Sequence, residues 1–153
     1  IPLIGEKKEL KFVKDIVVEV AEQVKKEKGS DIQYHIGTMI EIPRAALTAG
    51  QVAEEAEFFS FGTNDLTQYL LAMDRQNPNL APFCDPHHPA VLRAIRQTVE
   101  RAHQAGCTVG ICGELAADEA LTEAFLRLGV DELSVAPSRI LPLREKIRSL
   151  TLG

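Results

Sequence analysis

Glu57-Phe58-Phe59-Ser60-Phe61-Gly62-Thr63-Asn64-Asp65-Leu66-Thr67-Gln68 is the stretch from which the rest of the chain can be read. Phe58 to Phe61 is a short aromatic run bounded by polar residues, which predicts a buried strand. Gly62 breaks it, and Thr63, Asn64 and Asp65 stand where a new helical period begins. Polar side chains in a strand-to-helix turn have two uses. They cap the helix by accepting from its free N–H groups, or they project from the carboxyl end of a parallel strand, where α/β folds carry their chemistry. A second stretch, Met39-Ile40-Glu41-Ile42-Pro43, also ends an apolar run with a carboxylate, and Pro43 suits a first helical position. Two consecutive strands that each deliver a carboxylate at the same end match the needs of a hard divalent cation.

Working outward, residues 1–4 read as a first strand. Residues 7–28 carry Leu10, Val13, Val17, Val20 and Val24 three and four apart among Lys and Glu, which predicts an amphipathic helix with that stripe inward and a stop at Gly29. The second strand is expected over 36–40, followed by an Ala-rich helix ending near Ala56. The aromatic strand leads into a helix near 66–74, and residues 76–90 form the longest irregular stretch. A long helix follows with Leu92, Ile95, Val99 and Ala102 inward, closing at Gly106. Then come a strand over 108–112, a helix carrying Leu121, Phe125 and Leu128, a strand over 133–135 and a last helix over 141–150. Five strand-helix units in 153 residues have the spacing of a parallel α/β sheet. A complete (β/α)8 barrel needs about 250 residues. The chain is therefore one domain, residues 1–153, built either as an open five-stranded sheet or as five-eighths of a barrel. It begins at Ile1, without Met, inside a strand-like run, as expected of a piece of something longer.

With 45% hydrophobic and 25% charged residues the chain has the composition of an ordinary globular protein. A net charge of -5, with no basic run, argues against nucleic acid or an acidic membrane as partner. No apolar run approaches membrane-spanning length, and no stretch reads as a signal peptide. Cys84, Cys107 and Cys112 are too few and too irregular for a disulfide framework, so cytoplasm is the expected compartment. Cys84, His87 and His88 lack a second ligand pair at a zinc-site spacing, and His35 and His103 read as structural.

Three motifs then speak together: residues 37–46 (Gly-Thr-Met-Ile-Glu-Ile-Pro-Arg-Ala-Ala), residues 58–68, and residues 110–114 (Gly-Ile-Cys-Gly-Glu). In this order they resemble the phosphoenolpyruvate-utilising enzymes, which include Enzyme I of the sugar phosphotransferase system, pyruvate phosphate dikinase and phosphoenolpyruvate synthase. The resemblance covers almost the whole chain. It implies the C-terminal part of a phosphoenolpyruvate-binding (β/α)8 barrel, about the fourth to eighth strand-helix units. Residues 1–68 lean towards the dikinase, through 1–5 and 42–47. Residues 69–150 lean towards Enzyme I, through 71–75, 131–135 and 140–143. A natural intermediate and a chimera joined near Gln68 both fit that pattern.

The resemblance marks Glu41 and Asp65 as ligands of Mg²⁺, the expected cofactor. It marks Asn64 and Arg75 as holders of the substrate phosphate, a role that suits a planar guanidinium. Cys112, flanked by Gly110 and Gly113, corresponds to the acid that protonates the enolate carbon to give pyruvate. Its bland alternative is a small buried hydrophobe, which suits Cys107 better. The phosphoryl acceptor would be a histidine on a separate swivelling domain, and the first three barrel strands would supply further arginines and a lysine. The parent is thus expected to be a phosphotransferase, the isolated chain inactive and a homo-oligomer. Two rival readings are a non-catalytic dimerisation or binding module, and a Mg²⁺-dependent enolate aldolase of the citrate-lyase type. The thiol at 112 favours phosphotransfer over the latter, because aldol cleavage gives it no obvious job.

Overall fold

Every strand pairs in parallel with the next one along the chain. The computed structural model describes residues 1–152, and among these the sheet has four strands: β1 (Thr38–Ile40), β2 (Phe58–Gly62), β3 (Thr108–Cys112) and β4 (Glu132–Ser134), in the order β1-β2-β3-β4. The register aligns Met39, Ser60, Gly110 and Glu132 in one row across the sheet, and Gly62, Cys112 and Ser134 two rows further on. A doubly wound sheet reverses its strand order at a switch point. Here no reversal occurs, and the sequential parallel order is that of part of a (β/α)8 barrel.

Alternation along the strands decides which face is covered. Ile40, Phe59, Phe61, Val109 and Ile111 are buried, together with Val91, Ile95, Val99 and Phe125 of the surrounding helices. The opposite face is lined by Phe58, Ser60, Thr108, Gly110, Glu132 and Ser134 around an open hollow of about 610 Å³. Phe58 is therefore partly exposed, and the aromatic run is buried at alternate residues rather than throughout.

The helices are α1 (Lys7–Lys28), α2 (Pro43–Leu47), α3 (Ala49–Val52), α4 (Thr63–Leu71), α5 (Pro89–Gln104), α6 (Glu119–Leu128) and α7 (Pro137–Ser149), with a short 3₁₀ turn at Glu114–Ala117. α1 stops at Gly29, whose left-handed backbone caps it, as its sequence predicts. The single Ala-rich helix expected before residue 56 is two short ones. Thr48 hydrogen-bonds the Arg44 carbonyl with its hydroxyl (2.9 Å) and leaves the helical region between them. α7 begins four residues earlier than expected, at Pro137 in its first turn.

Two expectations need correction. Residues 1–4 are not a strand of the sheet. Ile1 does bond alongside β1, its amino group donating to the Gly37 carbonyl and its own carbonyl accepting from Met39 N–H, both at 2.9 Å. Pro2 has no N–H to continue the ladder, and Leu3 turns away with φ +57°. The stripe on α1 is not inward either. Leu10 is buried and Val13 half-buried, but Val17, Val20 and Val24 are exposed, and Phe12 on a neighbouring stripe is 70% exposed. α1 is held mainly near its start, where Lys7 pairs with Glu54 and Lys14 Nζ donates to the Glu55 carbonyl (2.8 Å).

Candidate active site

The carboxyl ends of β1, β2 and β3 open into a cleft of about 140 Å³ lined by Met39, Glu41, Gly62, Thr63, Asn64, Asp65, Arg75, Cys112 and Gly113. All five residues singled out from the sequence (Glu41, Asn64, Asp65, Arg75 and Cys112) are in that lining. A second hollow of about 280 Å³ adjoins it and shares Asn64 and Arg75.

The helix-capping alternative for these polar residues fails. Gly62 and Ile42 occupy the N-cap positions of α4 and α2, and neither helix has a side-chain cap. Glu41 lies one residue past β1 and is only 3% exposed. Its Oε1 accepts the Leu3 N–H at 2.8 Å. No donor among the described residues bonds its other oxygen, which lies on the cleft side against Gly62. One carboxylate oxygen is thus occupied by a backbone amide and the other is left available to a cation.

Asp65, in the first turn of α4, meets the Arg75 guanidinium, with Oδ1 3.3 Å from Nη2. Sequence spacing alone leaves Arg75 a helix away; a local device brings it back. Ala72 ends α4 in the left-handed region, Met73 N–H bonds the Gln68 carbonyl (3.0 Å), and the Gln68 side chain accepts the Arg75 N–H (3.1 Å). Gln68 lies at the end of the aromatic motif, but nothing local in its sequence announces that contact.

Cys112 ends β3, and its Sγ donates to the Phe61 carbonyl on β2 at 3.1 Å. Gly113 follows at φ +87° and ψ −161°, a conformation open essentially to glycine alone. A Cβ there would meet only Thr63 Oγ1, at an ordinary 3.7 Å, so the backbone conformation rather than crowding calls for glycine. Thr63, buried, turns its own hydroxyl to the Cys112 carbonyl (3.4 Å) and ties the two strand ends together. At the other end of β3, Cys107 is buried, and burial pushes its thiol up to about 11, as befits a small hydrophobe.

The histidines pair with carboxylates away from the cleft. His35 Nδ1 lies 2.5 Å from Glu57, His87 Nε2 2.5 Å from Asp118, and His103 Nε2 2.9 Å from Asp131. His88 caps α5, accepting the Ala90 N–H. No group of three or more His, Cys, Asp or Glu side chains among the described residues is arranged to hold a metal ion. The cleft offers two carboxylates, so a hard cation held there would take its other oxygens from substrate and water, as Mg²⁺ commonly does.

Comparison with known proteins places these features in context. The chain is 52% identical to pyruvate, phosphate dikinase of Clostridium symbiosum over an alignment 155 positions long that covers 92% of this chain and 18% of that protein. It is 42% identical to phosphoenolpyruvate-protein phosphotransferase of Bacillus subtilis (strain 168), over 98% of this chain and 26% of that protein. The chain thus spans about a quarter or less of the curated relatives it matches. Among solved structures, citrate synthase SbnG superposes with a TM-score of 0.60 at 13% identity, covering 97% of this chain and 59% of that one. An HpcH/HpaI aldolase/citrate lyase family protein from Burkholderia cenocepacia J2315 superposes at 0.54 and 21% identity, over 76% of this chain and 41% of that one. These two likenesses establish the fold alone. The model of the family described as PEP-utilising enzyme, PEP-binding domain, matches residues 1–152, and to that family the chain belongs.

Proposed function

We propose that this chain is the C-terminal part of the phosphoenolpyruvate-binding barrel of a phosphotransferase, and that its cleft holds Mg²⁺ and phosphoenolpyruvate. The observation that carries the reading is the convergence of Glu41, Asn64, Asp65, Arg75 and Cys112 on one cleft at the carboxyl ends of three adjacent strands. Glu41 and Asp65 hold the cation, which when bound supplies positive charge for the phosphoryl oxygens. Arg75, beside Asp65, and the Asn64 amide hold the phosphoryl group. A loose transition state spreads charge over those oxygens, so positioned cations and donors provide the catalysis.

The enol P–O bond breaks as a P–N bond forms to a histidine of a separate phosphohistidine domain, the expected partner of the parent enzyme. That leaves the enolate of pyruvate. Cys112 gives its proton to the methylene carbon, pyruvate leaves, and the thiolate recovers a proton from water. The thiol suits this task because it lines the cleft, with its S–H directed at the Phe61 carbonyl 3.1 Å away. Alone, the chain supplies neither the acceptor histidine nor a full set of arginines, and is expected to be inactive and a homo-oligomer.

The test is binding. Titration calorimetry should detect Mg²⁺-dependent binding of phosphoenolpyruvate or oxalate, lost in Glu41→Ala and in Asp65→Ala. Equal binding without metal would remove the two carboxylates from the role of ligands.

A further inference from the structure

Three observations meet at Glu41. Leu3 is one of only two non-glycine residues among the described residues with positive φ, at +57°. Its side chain is 60% exposed, so the strained backbone is not repaid by burying leucine. What the turn does accomplish is to aim the Leu3 N–H at Glu41 Oε1, 2.8 Å away. On the other flank stands Gly62, the next lateral neighbour of Glu41 in the register that pairs Ile40 with Phe61. A Cβ on Gly62 would fall 2.3 Å from Glu41 Oε2 and 2.9 Å from Glu41 Cβ. The carboxylate is thus gripped through one oxygen by a backbone amide. Its second oxygen occupies space that exists only because residue 62 has no side chain.

We propose that Leu3 and Gly62 are positioning residues for the Glu41 carboxylate, which they lock in the orientation that offers Oε2 to a divalent cation. The inference rests on the reading of Glu41 as a metal ligand. Outer partners that orient a ligand commonly change metal affinity by about 10- to 100-fold when removed. Neither residue touches the cation in this scheme. Leu3 acts through a hydrogen bond, and Gly62 acts by leaving room.

Mn²⁺, a paramagnetic stand-in with the same preference for oxygen ligands, gives a readout independent of turnover. Its affinity for the chain would be measured by electron paramagnetic resonance, with and without oxalate, beside thermal unfolding without metal. Leu3→Gly keeps the N–H and relieves the backbone, and should bind Mn²⁺ within about twofold of the parent chain. Leu3→Pro removes the N–H and, with φ held near −65°, also the left-handed turn that aims it, and Gly62→Ala fills the space; each should weaken Mn²⁺ by about 10-fold or more. In a Glu41→Gln background, Leu3→Pro should cost no further affinity, a non-additivity that a merely structural turn would not produce. Where Leu3→Pro fails to fold, replacing Leu3 by its α-hydroxy acid deletes the N–H alone and takes its place. Folded variants that lack the amide, or that carry the added methyl group of Gly62→Ala, yet bind Mn²⁺ like the parent would overturn the positioning role alone. A parent chain that binds no Mn²⁺ would overturn the ligand reading of Glu41 and this inference with it.

Discussion

Cys112 ends β3 and Cys107 immediately precedes it, and the two thiols stand in opposite settings. One thiol lines the cleft and donates its S–H to the Phe61 carbonyl; the other is sealed below, its acidity suppressed by burial. In an enzyme carrying these motifs, Cys112→Ala should cut pyruvate formation by about 10²- to 10⁴-fold, the usual worth of a positioned acid. Ground-state binding of Mg²⁺ and phosphoenolpyruvate should be unchanged, and steady-state kinetics set against calorimetry would expose the split. Beneath β3, burial works against the charged form of Asp131, yet the Val109 N–H (2.7 Å) and His103 hold its carboxyl below the usual range. A carboxyl depressed in the fold adds stability above its unfolded pKa of about 4 and loses it as pH falls through the folded value. The melting temperature should therefore drop on acidification below about pH 4, and Asp131→Asn should flatten that drop while lowering stability at pH 7. Both effects can be read from thermal unfolding between pH 3 and 7. Of the five cleft residues, Glu41, Asp65 and Cys112 were legible as strand-end carboxylates and a thiol between glycines, whereas Asn64 and Arg75 came only from the resemblance to the family. The Leu3 amide was not legible, since it comes from chain 38 residues away, and the Gln68 contact to Arg75 was not, since it depends on the left-handed turn at Ala72.

At the scale of elements, periodicity gave α5, α6 and the strand over 108–112 nearly to the residue, because each combines a clear apolar rhythm with a stop at a glycine or a cap. It misjudged α1, since an amphipathic pattern says that a face is apolar and not what lies against it. The consequence is measurable. Phe59 is buried between sheet and helices, and Phe59→Ala should cost about 3–5 kcal/mol in urea unfolding. Phe12→Ser, on the exposed side of α1, should change stability by no more than about 0.5 kcal/mol. A large loss from Phe12→Ser would mean that this stripe is covered in solution. The division of the Ala-rich segment into α2 and α3 was hidden for a different reason: one hydroxyl at Thr48 competes with the backbone, and propensity averages over such single contacts.

Across the whole molecule, the unreversed strand order leaves an edge at β4 and an open hollow on the sheet face opposite the helices, and one side of α1 is exposed. Barrel closure removes such edges, and an open one is a template for another chain. Light scattering on the purified chain is expected to report a species larger than a monomer, with no pyruvate released from phosphoenolpyruvate in a parallel assay. A stable monomer that makes pyruvate would refute the reading of the chain as part of a larger phosphotransferase barrel. The register carries one more consequence, for how the chain reaches this state. Thr38 pairs with Phe59 and Gly110 with Glu132, but Phe58 pairs with Thr108, more than twice as far along the backbone. Each doubling of a loop adds about 0.6 kcal/mol of closure entropy. The costliest zipping step is therefore the joining of β2 to β3, the seam at which Asp65 is brought to Cys112.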